Sequence, residues 1–352
     1  MTLVTTYDKN WPCLALPRAA RIDAPGALHH IIIRGIEKKN IFQDDQDKDT
    51  FVDRFGKILS ATSTPCYAWA LMSNHAHLLI RTGLVFLTTV MRRLLTGYAQ
   101  DYNRRHKRHG HVFQNRYKSI LCEEEPYLLE LIRYIHLNPL RAGIVKDLEG
   151  LRSYKYSGHA VLMGTQSHEC QDRDYVLEHF GKKTGPASRR YCRFIAAGID
   201  QGRRSELVGG GLIRSAGGWA ELKKKRQEGI RTQADERILG SSDFVSEVLK
   251  LAEEELEEST SFKREGLDLE VLIERVAEDF GIEATELKSG TRQRAVVKAR
   301  TVLCYLAVRK LACSCAQVGK VLKISPQAVS MSVPRGQAVL KQGEIEKLNL
   351  LI

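Results

Sequence analysis

Two short stretches hold residues whose types and spacing could do chemistry: residues 73–80, SNHAHLLI, and residues 133–143, RYIHLNPLRAG. In the first, His75 and His77 flank Ala76 inside an apolar run. Side chains alternate between the two faces of a β-strand, so on a strand both imidazoles project from one face. Two imidazoles so spaced can hold one divalent cation. Imidazole alone suits zinc, copper, iron or nickel, and added oxygen ligands shift the choice toward Mg²⁺ or Mn²⁺. The H-x-H pattern is short and common. By itself it favours two satisfied core histidines, and a metal site needs a partner elsewhere in the chain.

The second stretch offers that partner. Tyr134 and Asn138 stand four residues apart and share a face of a helix. The helix is expected over residues 123–137. Glu123, Glu124, Glu125 and Pro126 suit its start, and Leu128, Leu131, Ile132 and Ile135 give it an apolar stripe. Pro139 disfavours helical geometry at Asn138, which predicts that the helix ends there. A phenol and an amide oxygen at a helix terminus can both approach a bound ion. The alternatives are a packing tyrosine with its hydroxyl in water, and an asparagine C-cap followed by proline.

The elements that must position these residues alternate along the chain. Residues 28–34, LHHIIIR, are β-branched and read as a strand. Residues 42–59 read as a helix, 67–80 as a second strand, 87–104 as a helix and 111–122 as extended chain. Alternation of this kind implies an α/β or α+β sandwich. The middle differs: residues 181–237 carry 14 Lys+Arg against 6 Asp+Glu and include the glycine-rich VGGGLIRSAGGW. That composition predicts a basic connector, partly structured at best, with Lys223, Lys224, Lys225 and Arg226 at its most basic point. Beyond Ile238 the chain reads as wholly helical. The expected division is residues 1–160, a connector over 161–237, and a helical domain over 238–352.

Composition narrows the partners. The 352 residues hold 54 Lys+Arg against 42 Asp+Glu, a net charge of +12. Such a balance points to a polyanion, nucleic acid before membrane. No apolar run approaches the roughly 20 residues that span a bilayer, and no signal segment precedes the first strand, so a cytoplasmic protein without a membrane partner is expected. The eight cysteines form no C-x-x-C pair and read as buried thiols. His168, Glu169 and Cys170 could bind a metal in isolation, but no second ligand pair accompanies them. No G-x-x-x-x-G-K-[ST] occurs, so ATP binding is not inferred.

Five stretches, ARIDAPGALHHIIIRG, NIFQDDQDKDTF, SNHAHLLI, GHVFQNRYKS and RYIHLNPLRAG, occur in the order found in single-tyrosine transposases of the HUH class. The chain resembles the REP-associated tyrosine transposases most, over residues 19–158. The resemblance implies an α+β fold: an HUH-type antiparallel sheet with helices, ferredoxin- or RRM-like, here followed by an all-α helix-turn-helix domain. It implies that His75 and His77 bind Mg²⁺ or Mn²⁺, that Asn138 completes the metal site, and that Tyr134 is the nucleophile. Ala76 stands where the family carries a bulkier apolar residue. A tyrosine attacking a phosphodiester releases a 3′-hydroxyl and leaves a 5′-phosphotyrosine link. That link keeps the bond energy for rejoining.

Contacts to single-stranded DNA are expected from the stretch NRRHKRHGHVFQNRYK. There Arg104, Arg105, Lys107, Arg108, Arg116 and Lys118 lie beside Phe113 and Tyr117. Basic side chains hold phosphates and aromatic ones stack on unpaired bases. A solvated loop is the alternative. Arg34, at the end of the first strand, is a further candidate.

The C-terminal stretch SCAQVGKVLKISPQAVSMSVPRG has helix-turn-helix spacing, with an ordinary α-hairpin as the alternative. Gly319 allows close approach and Val329 follows ten residues on. Ser325 and Pro326 start the second helix, Pro334 is expected to stop it, and Lys323 occupies the usual glycine position of the turn. Gln327, Ala328, Ser330 and Met331 are then the expected exposed reading positions. Residues 268–340 resemble the DNA-binding domain of the replication initiator DnaA, through Arg292, Arg294, Arg300, Tyr305 and Leu306. They depart from it at Ser325, Pro326 and Gln327.

The expected function is a metal-dependent strand transferase that cuts and rejoins single-stranded or hairpin DNA. The C-terminal domain is expected to add duplex binding, in a monomer or homodimer. The rivals are a catalytically silent DNA-binding repressor and a metal-dependent nuclease that uses water.

Overall fold

The computed structural model describes residues 22, 26–83, 85–202, 204, 207, 235–264, 266–311 and 313–341. Strand β1, Leu28–Arg34, is central in the sheet. Helix α1, Asp45–Thr62, follows it, then β2, Cys66–Met72, β3, His75–Arg81, helix α2, Leu87–Arg105, and β4, Lys118–Cys122. A short strand β5, Ile238–Leu239, lies parallel to β4, while the other pairs are antiparallel. The order is β2-β3-β1-β4-β5. The fold is α+β: a mixed sheet with helices, then a helical C-terminal region.

The two-residue period of the strands divides the core. Ile31, Ile33, Trp69, Leu71, Ala76 and Leu78 point to one face, against Phe51 and Phe55 of α1 and Met91 and Leu94 of α2. Leu28, Ile32, Ala68, Ala70, Leu79 and Ile120 point to the other, against helix α3, Glu124–Arg141, through Leu131 and Ile135. Each such fully buried aliphatic side chain contributes roughly 1.5–3 kcal/mol. Ala76 is fully buried between Ile33 and Leu71, on the α1/α2 side and away from the two histidines.

Three elements differ from the sequence reading. Residues 67–80 form not one strand but a hairpin, because Ser73 and Asn74 make a two-residue turn. The Ser73 carbonyl accepts from the amides of Ile41 and Phe42 at 2.9 and 3.0 Å, which ties the turn to the loop before α1. Of residues 111–122 only β4 is a strand; upstream, Gln114 donates its amide to the Arg34 carbonyl at 2.9 Å. Finally, α3 does not end at Asn138 but runs through Pro139 to Arg141. A proline inside a helix removes one hydrogen bond at a cost of about 3 kcal/mol. Here Ile135, Leu137 and Pro139 are all buried, and that burial offsets the loss.

Helices continue past α3 and into residues 161–201, expected within the connector. Helices α4, Leu148–Ser153, and α5, Gly158–Met163, are followed by α6, Arg173–Glu178, and α7, Thr184–Ala196. Tyr191 and Ile195 of α7 are fully buried in the same core as α3. The apolar spacing of Tyr191 and Ile195 wins over the surrounding arginines. The run Lys223 to Arg226 lies outside the described residues.

Past β5 the chain is helical: α8, Ser242–Arg264; α9, Leu269–Phe280; α10, Ala284–Leu287; α11, Arg294–Arg309; α12, Cys315–Leu322; and α13, Pro326–Lys341. The Ser325 hydroxyl accepts from the Ala328 amide at 3.1 Å and caps α13. Gly319 is needed where α12 meets the turn, since a Cβ there would fall 2.6 Å from the Ile324 carbonyl oxygen. Lys323 takes the left-handed conformation, φ 55°, that glycine usually supplies. Pro334 does not stop α13, which continues to Lys341. No helix among the described residues is long and apolar enough to cross a membrane.

Buried histidines are expected to make the fold acid-sensitive. Burial holds His29 at about 4, well below its ordinary 6.5. Below 6.5 the unfolded chain binds a proton that the folded chain refuses until about 4. Its contribution is therefore complete above the unfolded value and lost as pH falls toward the folded one. The expected loss is about 3 kcal/mol. Denaturation midpoints from about pH 7 to about pH 4.5 should fall less steeply in His29→Leu than in the wild type.

Candidate active site

The sheet face that meets α3 carries the two histidines. His75 lies opposite Arg34 and His77 opposite Ile32 across β1, and Lys118 of β4 continues the His77 row. With neighbouring strands about 4.8 Å apart, Lys118 sits about 10 Å from His77 across the sheet. The His75 and His77 rings are 5.3 Å apart between centroids, at 81°.

Each ring has its Nδ1 engaged. His75 Nδ1 is 2.6 Å from the Asn74 side-chain oxygen, and His77 Nδ1 is 2.8 Å from Nε2 of His30. Nε2 is then the nitrogen each can offer a cation, and such a hydrogen bond to the other nitrogen is usual for a ligating imidazole. Burial lowers His75 to about 4, helped by the charge of Arg34. Burial, then His30, His75 and Arg34, keeps His77 well below its ordinary value. Both rings are thus neutral near neutral pH, the form that ligates metal. Among the described residues no three His, Cys, Asp or Glu side chains gather as a metal site, His168, Glu169 and Cys170 included. An amide oxygen is a donor that fits a hard divalent ion.

Helix α3 brings Tyr134 to the pair. Its ring lies edge-on to His77, with centroids 5.8 Å apart at 85°. Asn138 follows one turn later, and its side-chain nitrogen donates to the Tyr134 carbonyl at 3.0 Å. That bond uses the amide nitrogen and leaves the oxygen outside it.

Two neighbours escaped the sequence reading. His30 is fully buried, meets His77 edge to edge with centroids 5.1 Å apart, and meets Tyr134 edge-on at 6.2 Å. The stretch LHHIIIR offers two histidines with nothing local to choose between them; strand register decides. Arg141 holds its guanidinium 5.7 Å from the Tyr134 ring centroid and donates to the Gly198 carbonyl at 3.0 Å. Among the described residues its buried Nε and Nη1 have no hydrogen-bond partner. Ending the helix at Asn138 hid Arg141, which lies two turns past Tyr134 on the same face.

The expected DNA-contact residues separate by their present partners. Arg34, Lys107, Arg116 and Lys118 are exposed, and Arg104 keeps 81 % of its side chain exposed. Arg108 stacks over the Tyr102 ring at 5.6 Å. Arg105 is spent within the fold: its guanidinium donates to Asp44 at 2.8 and 2.5 Å and to Asp47 at 2.6 Å. We therefore expect Arg105→Ala to lower thermal stability and leave DNA affinity nearly unchanged. Arg116→Ala should weaken single-strand binding and reduce the salt slope of log K by about 0.7. Fluorescence anisotropy across a salt series measures both.

In the C-terminal domain Arg292 and Arg294 are exposed at the start of α11. Arg300 instead donates to the carbonyls of Glu286, Leu287, Ser289 and Thr291, and so fixes the loop that precedes them. On α13 Gln327 and Met331 are exposed, but Ser330, expected as a reading position, is buried at 5 %. Its place one residue after fully buried Val329 turns it toward the core. The exposed stripe continues one turn beyond Met331 to Arg335, which the expected stop at Pro334 had removed from view.

A basic chain with one mixed α+β unit and one helix-turn-helix unit defines a DNA-handling protein. Residues 25–138 match the family model of IS200-like transposases, and residues 269–332 match that of the bacterial DnaA protein helix-turn-helix. The N-terminal unit is thus similar to IS200-like transposases, and the C-terminal one to the bacterial DnaA helix-turn-helix. No curated protein matches the chain. A solved structure of the REP-associated tyrosine transposase bound to a REP hairpin is 12 % identical; the match covers 42 % of this chain and 86 % of that one, with a TM-score of 0.34.

Proposed function

We propose that the protein is a single-tyrosine strand transferase acting on single-stranded DNA, at hairpin or repeat sequences. The observation that carries this reading is the edge-on placement of Tyr134 against His77, inside the segment that matches the IS200-like model. The Tyr134 oxygen attacks a phosphodiester phosphorus. The phenol gives up its proton as the bond to the 3′ oxygen breaks, that oxygen takes up a proton and leaves as a 3′-hydroxyl, and a 5′-phosphotyrosine remains. A second 3′-hydroxyl then attacks the same phosphorus, expels Tyr134 and rejoins the strand, so no ATP is consumed.

His75, His77 and the Asn138 oxygen would hold Mg²⁺ or Mn²⁺, which when bound polarises the scissile phosphate and offsets charge on the leaving oxygen. The paired bonds of Asn74 and His30 orient the two imidazoles. Arg141 sets positive charge beside the Tyr134 ring, and Arg34, Arg116 and Lys118 are suited to backbone phosphates on the rim. The catalytic unit is residues 1–160 together with the helices to residue 201, and the unit over 238–352 binds duplex through Arg292, Arg294, Gln327, Met331 and Arg335.

The test is a denaturing gel of labelled hairpin DNA incubated with protein and Mg²⁺ or Mn²⁺. A protein–DNA adduct is the expected result. Cleavage without an adduct would mean water is the nucleophile. Binding without cleavage would mean a repressor.

A further inference from the structure

We propose that His30 is a positioning residue for His77: its Nε2 accepts the hydrogen bond of His77 Nδ1–H and fixes the tautomer that turns Nε2 of His77 to a cation. This rests on the reading above that His75 and His77 hold a divalent metal. Three observations carry it. The two nitrogens are 2.8 Å apart, a full hydrogen bond. The ring planes lie within 26° of each other and the centroids are 5.1 Å apart, so the rings meet edge to edge through these nitrogens and the bond lies near both ring planes. Both side chains are buried, His30 at 0 % and His77 at 3 %, where water offers little competition.

The sheet register fixes this pair. His30 lies opposite Leu79 and Ile32 opposite His77, which makes His30 and His77 diagonal neighbours on one sheet face. Diagonal pairs are within reach of ring side chains. His75 meets the same need differently, through Asn74 beside it in the chain. One ligand is therefore oriented locally and the other across the sheet. The reverse tautomer, with His30 donating to His77 Nδ1, would place the His77 proton on Nε2 and block coordination. His30 also borders the Tyr134 ring at 6.2 Å, so a shift of His30 would disturb both halves of the site.

Mn²⁺ titration of the full chain without DNA, read by electron paramagnetic resonance, separates the possibilities. His30→Leu should weaken Mn²⁺ binding about 10- to 100-fold, as outer partners of metal ligands do. His30→Gln, whose side-chain oxygen can accept from Nδ1, should restore most of it. Long-range ¹H–¹⁵N spectra of the metal-free wild type should show His77 protonated at Nδ1. Wild-type-like Mn²⁺ affinity in folded His30→Leu, or a His77 proton on Nε2 in the wild type, would overturn the proposal. If His30→Leu does not fold, the His30→Gln affinity and the wild-type tautomer decide. If the wild type binds Mn²⁺ no better than His77→Ala, the metal reading fails, and this proposal with it.

Discussion

Tyr134→Phe should form no covalent adduct with hairpin DNA, and its cleavage rate should drop by at least about 10⁴-fold. The substitution removes one oxygen and keeps the ring. The edge-on contact with His77 at 5.8 Å and with His30 at 6.2 Å is made by the ring, so the site should keep its shape. Tyr134 is only half-buried on α3, and loss of its hydroxyl should leave the fold intact. DNA affinity should stay near the wild-type value, because the exposed arginines and lysines of the rim supply it. A denaturing gel for the adduct and a mobility-shift gel for binding measure the two sides. An adduct that persists in Tyr134→Phe would move the nucleophile to another residue.

His77→Ala should abolish Mn²⁺ binding and cut cleavage by about 10²- to 10⁴-fold, the rate equivalent of several kcal/mol of charge stabilisation. His77 is the better choice than His75 because it is the more buried and bridges His30, His75 and Tyr134. Alanine leaves a hole lined by His30 and Tyr134, so some stability will be lost. The proposed DNA contacts lie on exposed side chains and should survive. If His77 is a metal ligand, as proposed, excess Mn²⁺ should not restore cleavage. His30→Gln, by contrast, should retain metal. Recovery of His77→Ala at millimolar Mn²⁺ would argue that His77 is only a core histidine.

Several features were legible in the sequence because they depend on local geometry. Period-two alternation put His75 and His77 on one face without reference to the rest of the chain. A four-residue spacing put Tyr134 and Asn138 on one side of a helix. Ser325 and Gly319 announced the start of one helix and the close approach of another. Composition announced a polyanionic partner. Each follows from what a few neighbouring residues must do.

The remainder depended on neighbours distant in sequence. Pro139 and Pro334 carry a local penalty that sequence can see, but the burial of Ile135, Leu137 and Pro139 that outweighs it is tertiary. That balance decided whether Arg141 and Arg335 joined their helices. Arg105 looked like its basic neighbours until folding set Asp44 and Asp47 against it, from residues about sixty positions away. Ser330 and Met331 are adjacent, and only the docking of α13 on α11 decided which of them faces outward. His29 and His30 are chemically the same. Strand register alone sends His29 to Ser119 and His30 to His77. The sequence by itself therefore determined the fold class and which residue types share a face. Tertiary structure decided which of those residues meet, because register and burial energy are sums over the whole sheet and core.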